Sequence, residues 1–146
     1  MANFIYNEAK RRFLRGLIDM QGDIRVLLVM TNTTADTEDD VNTIGGFTTL
    51  DEFDGSGYSS GGQELDNEVV TEDAANNRAE ASADNETFST EGAGSRNAQA
   101  AIIYLFDTDL SSSIPIAYID AGGFPFAANG GDITFQWNAE GILQAA

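Results

Sequence analysis

Three short runs are nearly free of charge in a chain where acidic residues are otherwise spread throughout. They are Asp23–Thr31, built on Ile24-Arg25-Val26-Leu27-Leu28-Val29-Met30, then Ala98–Phe106 and Ile114–Asp120. Each is too short for an ordinary helix, and a near-continuous apolar run of this length marks a strand covered on both faces. None approaches the roughly 18 apolar residues of a membrane-spanning helix.

Weaker segments surround these runs. Glu64–Thr71 reads as a strand with Leu65 and Val69 on one face, and Ile133-Thr134-Phe135-Gln136-Trp137 alternates cleanly. Arg78–Ala83 and Glu86–Thr90 read as two short strands around a turn at Asp84-Asn85. Turn signals recur about every ten residues, which predicts a mainly β fold. The expected architecture is a β-sandwich or flattened barrel of about seven short strands with one N-terminal amphipathic helix. Its core should include Val26, Leu28, Ile103, Tyr118, Ile119, Phe135 and Trp137.

The helix is expected over about residues 3–18, with Asn3 as N-cap and Gly16 as its stop. Ile5, Ala9, Phe13 and Leu17 form an i, i+4 row, while Glu8, Arg11, Arg12 and Arg15 fall on a separate face. That face either stands in water or docks on an acidic neighbour, a second copy included. Residues 1–146 are read as a single domain, with a β-rich body over 23–146. Within it, about 32–64 is a long excursion of acidic and glycine-rich loops, pinned by Phe47, Leu50 and Phe53.

The sequence has no cysteine and no histidine. Disulfides, thiolate nucleophiles and Cys/His zinc sites are therefore excluded, and the commonest general base near neutral pH is missing. The net charge of −17 is unevenly placed: residues 1–25 hold five cations and three acids, and the remainder holds two cations and 21 acids. Such a field repels nucleic acid and anionic membranes and favours solubility. The N-terminal basic residues sit inside the amphipathic run with no long apolar stretch after them, so no signal peptide is expected.

Asp107 with Asp109, and Asp51 with Glu52 and Asp54, sit where turns normally place Asp, so no catalytic carboxylate pair is assigned. The acidic cluster Asp36–Asp40 and the loop Asp51–Ser60 offer oxygen ligands without the EF-hand spacing. Gly55–Gly62 lacks the lysine and following helix of a phosphate cradle. No enzyme activity and no cofactor or metal are expected. The aromatic last third reads as core, or else Phe124 and Phe126 stand on a Gly/Pro loop as a docking wedge. Trp137 or Tyr58 could serve as the stacking platform of a carbohydrate-binding module.

Several blocks, taken in order, resemble a family of small virion structural proteins of tailed bacteriophages. They are Met1-Ala2-Asn3 leading to Phe13-Leu14, then Ile24–Val29, Asp51-Glu52-Phe53-Asp54-Gly55 and Glu72–Glu80. They continue through Ala117-Tyr118-Ile119-Asp120, Asn129–Asp132 and Gln136–Ile142, so nearly the whole chain is covered. Where similar proteins tend to carry basic residues after the tyrosine that follows the Asp51-Glu52-Phe53-Asp54-Gly55 block, here Tyr58, this chain has Ser59-Ser60-Gly61-Gly62. The resemblance implies a non-enzymatic capsid decoration or cement protein, made in the host cytoplasm and placed on the capsid exterior. A tail- or fibre-associated subunit is the alternative. The implied partners are the major capsid protein, other copies of the chain as a homo-oligomer on the particle, or both. The implied contacts are Arg11, Arg12 and Arg15 on the helix and Phe124 and Phe126 on the loop.

Overall fold

The computed structural model describes residues 3–89 and 91–146. In chain order the elements are β1 Phe4–Ile5, α1 Asn7–Leu14, β2 Ile24–Met30, β3 Gln63–Glu64, β4 Val69–Asp73 and β5 Arg78–Ser82. They continue with β6 Glu86–Phe88, β7 Ala98–Leu105, β8 Ile114–Ile119, β9 Ile133–Phe135 and β10 Leu143–Ala145. The strands form antiparallel sheets of five, three and two, in the orders β1-β8-β7-β2-β3, β10-β5-β4 and β6-β9. The chain is mainly β, as its sequence indicates. The described residues hold ten strands where about seven were expected, because β1, β3 and β10 are only two or three residues long and leave no period to read.

The five-stranded sheet carries the core. β2 pairs with β7 from Ile24↔Leu105 to Met30↔Ala98, and β7 pairs with β8 from Leu105↔Ile114 to Ala101↔Ile119. Val26–Met30 and Ala100–Tyr104 are buried without a break, so both faces of these strands are covered and continuous apolar runs are what they require. Each fully buried Leu, Ile or Val here contributes about 1.5–3 kcal/mol relative to exposure.

The 32–64 excursion closes one margin of this sheet. Phe53 N–H donates to the Leu28 carbonyl at 2.9 Å, Met30 N–H to Asp51 at 2.7 Å, and Leu65 N–H to Ile24 at 2.8 Å. The outer side of β2 is thus covered by residues 51–53 and 63–65 instead of being left open. Phe47 and Phe53 are buried and Leu50 packs against the core, so the three expected anchors hold the loop down. At the crossing, Gly62 has φ +69°, and a Cβ there would stand 1.9 Å from the Val26 carbonyl oxygen. Only glycine fits that approach.

Several expectations change. Glu64–Thr71 is not one strand: Asn67 takes φ +55° and turns the chain, so β3 joins the large sheet and β4 the three-stranded one. Leu65 is buried and Val69 exposed, so they do not share a face. β5 and β6 do not form a hairpin either, since β5 lies between β4 and β10 while β6 pairs with β9. Thr90, expected to end that strand, lies outside the described residues.

The helix is shorter than 3–18. Phe4 and Ile5 pair with Tyr118 and Ala117 of β8 as strand β1, and the Asn3 side chain accepts from the Asp120 and Ala121 N–H groups instead of capping the helix. Gly16 does stop it, with φ +65°. Its N–H bonds the Phe13 carbonyl and Leu17 N–H bonds that of Arg12, a Schellman motif. The helix has therefore ended before Leu17, which is exposed, while Ala9 is buried and Phe13 half-buried.

In the three-stranded sheet, Arg78 pairs with Asp73 at 3.1 Å, Glu80 at 2.8 Å and Glu140 at 3.4 Å. It also bonds Gln144 at 3.3 Å, so one guanidinium ties β4, β5 and β10 together.

The Gly62 approach gives a prediction. Gly62→Ala should lower stability by about 3 kcal/mol, since left-handed strain and overpacking add. Gly130→Ala, where φ is +93° but nothing lies within 4 Å of an added Cβ, should cost only about 1–2 kcal/mol. Urea unfolding of both variants measures the difference.

Candidate docking surface

α1 packs on β8, and the acidic excursion holds its N-terminal end. Asn7 donates its N–H to the Asp39 carbonyl at 2.9 Å and its side-chain amide to Asp40 Oδ1 at 2.6 Å. The Tyr6 hydroxyl donates to the Ala35 carbonyl at 2.9 Å, and burial raises its pKa. Acidic groups at this end also complement the helix dipole.

The basic face of α1 is not simply free in water. Glu8 is buried and accepts from Arg11 Nε at 2.7 Å, Arg11 Nη2 at 2.6 Å and Arg12 Nε at 2.7 Å. Those hydrogen bonds, reinforced by the two positive charges, hold its carboxyl down at about 2. Spacings of i+3 and i+4 bring both arginines over one carboxylate. Arg15 is exposed and makes no ion pair among the described residues, and the Lys10 ammonium donates to Asn7 Oδ1 at 3.0 Å.

The other cations are taken by their own chain. Arg25 pairs with Asp23 at 2.7 Å and lies 3.7 Å over the Phe106 ring, while Arg78 and Arg96 hold Asp73 and Asp51. Among the described residues, the cations without a carboxylate partner are therefore Lys10 and Arg15, on α1 and its C-cap.

Apolar surface gathers at the same place. Leu14 is 91% exposed and Leu17 47%. A groove of about 620 Å³ runs between α1 and the three-stranded sheet, lined by Lys10, Phe13 and Leu14 on one side and Val70, Ala81 and Leu143 on the other.

Phe124 and Phe126 do not form a projecting wedge. Both are half-buried in an aromatic row with Phe135 and Trp137, with ring centroids 5.3, 5.9 and 5.8 Å apart along it. Phe126 exchanges backbone hydrogen bonds with Ala98 at 2.9 and 3.0 Å, and the Trp137 indole donates to the Asp84 carbonyl at 2.8 Å. The row walls a second groove of about 600 Å³. Phe135, Trp137 and Ile119, expected in the core, are consequently half-buried there, whereas Val26, Leu28, Ile103 and Tyr118 are buried as expected.

Tyr58 is no stacking platform. Its ring packs against Phe53 and Phe88, and its hydroxyl donates to Glu52 at 3.1 Å while accepting from Leu28 N–H at 3.0 Å.

A smaller cavity of about 390 Å³ lies between β1 and β10. It shares Asn3, Ile119 and Ile142 with the aromatic groove, and Ile5, Leu143 and Gln144 with the helix groove. The three cavities are neighbours through these shared residues. Of the contact residues read from the sequence, Phe124 and Phe126 line the aromatic groove, whereas Arg11, Arg12 and Arg15 line none of the three. Arg11 and Arg12 are spent on Glu8, and Lys10 and Leu14 stand at the helix groove in their place. Sequence reasoning missed those two, although a cation and a leucine four residues apart on a basic helix are a readable signal.

The loop carboxylates are taken up by hydroxyl and backbone N–H donors of the loops themselves. Glu38 accepts from Thr34 and Thr48, Glu52 from Tyr58 and Ser60, Asp54 from Ser95 N–H, and Asp109 from Ser111 and Ser112. Among the described residues no three acidic side chains converge as a metal site would require, and no helix is long and apolar enough to cross a membrane. In comparisons with known protein families, curated proteins and solved structures, no match was found.

The clamp predicts a pH dependence. Glu8 is held below its unfolded value of 4.5, so its stabilisation is full above that pH and fades as pH falls through about 2. Glu8→Gln should lose about 1–2 kcal/mol at pH 7, discounted because Arg11 is 52% exposed. The loss should shrink steadily between pH 4.5 and 2, as read from urea midpoints across pH.

Proposed function

We propose that this protein is a non-enzymatic structural subunit of a tailed-bacteriophage particle, a decoration protein that binds the outside of the assembled head shell. One observation carries the reading. Lys10, a cation without a carboxylate partner, and Leu14, the most exposed leucine, lie together on the wall of the helix groove, with Arg15 at the end of the same helix, on a body that is otherwise strongly acidic. A molecule polarised in this way binds by its basic, apolar end and presents its acidic side to solvent. Binding to assembled subunits and not to loose ones stabilises the shell by mass action. The sequence resemblance along nearly the whole chain supports the same assignment.

The aromatic groove favours a second reading, a carbohydrate-binding module. There Phe135 and Trp137 are stacked and half-exposed beside Gln136 and Asn138. Trp137→Ala separates the two readings: loss of affinity for a neutral glycan column would favour the module, and loss of shell binding with no glycan affinity the decoration protein.

Purified particles, separated into heads and tails, should carry the protein with the heads. Recovery with tails alone would move it to the tail or fibre, and absence from both would remove the virion reading. Attachment should also depend on Lys10 and Arg15. Replacing both with Gln leaves the Glu8 clamp intact, whereas removing Arg11 and Arg12 would strand a buried carboxylate. Occupancy of the double variant should fall a few-fold, since exposed pairs contribute about 0–1 kcal/mol each, and the deficit should vanish at high salt. Equal occupancy at every salt concentration would remove the Coulombic part of the contact.

A further inference from the structure

β4 is an outer strand of the three-stranded sheet, paired with β5 on one side and, among the described residues, with no strand on the other. Val69, Val70, Thr71 and Glu72 are all exposed, so the strand is open on both faces as well as along its edge. Val69 is 44% and Val70 47% exposed, which with Leu14 and Leu17 makes up the exposed large apolar side chains among the described residues. An open edge presents unpaired N–H and C=O groups, and chains usually blunt it with Lys, Pro or a bulge. Val69-Val70-Thr71 has none of these and consists of strong strand formers.

We infer that β4 is a self-pairing edge: two copies join β4 to β4 antiparallel, about a two-fold axis at Thr71, into one continuous six-stranded sheet. The register argues for a second copy. With Thr71 on the axis, Val70 faces Glu72 of the other copy, Val69 faces Asp73, and Thr71 faces Thr71, so no acid opposes an acid. Moving the axis to Glu72 would set two carboxylates opposite each other, and moving it to Val70 would set Glu68 against Glu72, both unfavourable. A two-fold axis in an antiparallel ladder passes through either a hydrogen-bonded or a non-hydrogen-bonded pair. Thr71 can therefore lie on the axis whichever way its own N–H points. The contact is isologous and closes at two copies.

The pairing is weak in solution, because five residues on each side bury far less than the roughly 1,200 Å² of a stable interface. Two bodies of net charge −17 also repel, and salt screens that repulsion. Dimer should therefore increase with both concentration and salt.

Sedimentation equilibrium of the full chain, from about 10 μM to 1 mM in low salt and in about 1 M salt, provides the test. Wild type should shift from monomer toward dimer. Thr71→Lys places two like charges on the axis and should weaken the dimer at least ten-fold. Val70→Lys places a cation opposite Glu72 and should tighten it a few-fold. Both positions are exposed, and circular dichroism confirms that each variant is folded. Both Lys variants lower the net charge equally, so general relief of repulsion would move them in the same direction. A shift of both in one direction, monomer under every condition, or species larger than a dimer would each overturn the proposal.

Discussion

The pairing of β2 with β7 is the contact from which the other elements hang. These two strands are buried on both faces, so neither can be held by one layer alone, and each neighbour exists to cover part of them. β8 extends the ladder on the β7 side, β1 lengthens it by two residues, and α1 packs on β8. On the β2 side the cover is the excursion: residues 51–53 bond Leu28 and Met30, and residues 63–65 pair with Ile24–Val26 beside Gly62, which lets the chain touch the strand backbone. The remaining sheets are small, of three and two strands, and their partial fit against this core leaves the grooves.

Positive charge is scarce, and its placement follows from that. With seven cations for 24 acids, most sit where segments distant in sequence must be joined or a buried carboxylate must be held. Arg78 joins a hairpin to the last strand, Arg96 holds Asp51 across the excursion, and Arg11 and Arg12 hold Glu8. Lys10 and Arg15 are exceptions to this economy, and for that reason they mark a surface.

Legibility followed burial. β2, β7 and β8 could be read because strands covered on both faces must be apolar throughout. The Gly16 stop could be read because a left-handed residue there favours glycine. β1 and β10 could not, being two or three residues held by neighbours and not by their own pattern. Leu65 and Val69 suggested one strand until the turn at Asn67 separated them into different sheets. The partners of β5 and β6 lie far along the chain, and local alternation says nothing about such pairing. At the candidate site, the Arg face and the Phe loop were legible as features. The buried state of Glu8 and the packing of Phe124 and Phe126 depend on tertiary neighbours and were not.

The separation of β2 from β7 also bears on how the chain reaches this state. Ile24 pairs with Leu105, about 80 residues away, and β2 gains its partner only after the whole acidic excursion has been looped out. A ladder with so distant a register forms late, and chains dominated by such contacts fold over milliseconds to seconds. Until β7 arrives, Val26-Leu27-Leu28-Val29-Met30 is an exposed apolar strand of the kind that joins its like in other copies. The 32–64 excursion that follows it carries acids and no cation, and its like charge holds neighbouring unfolded chains apart during that interval.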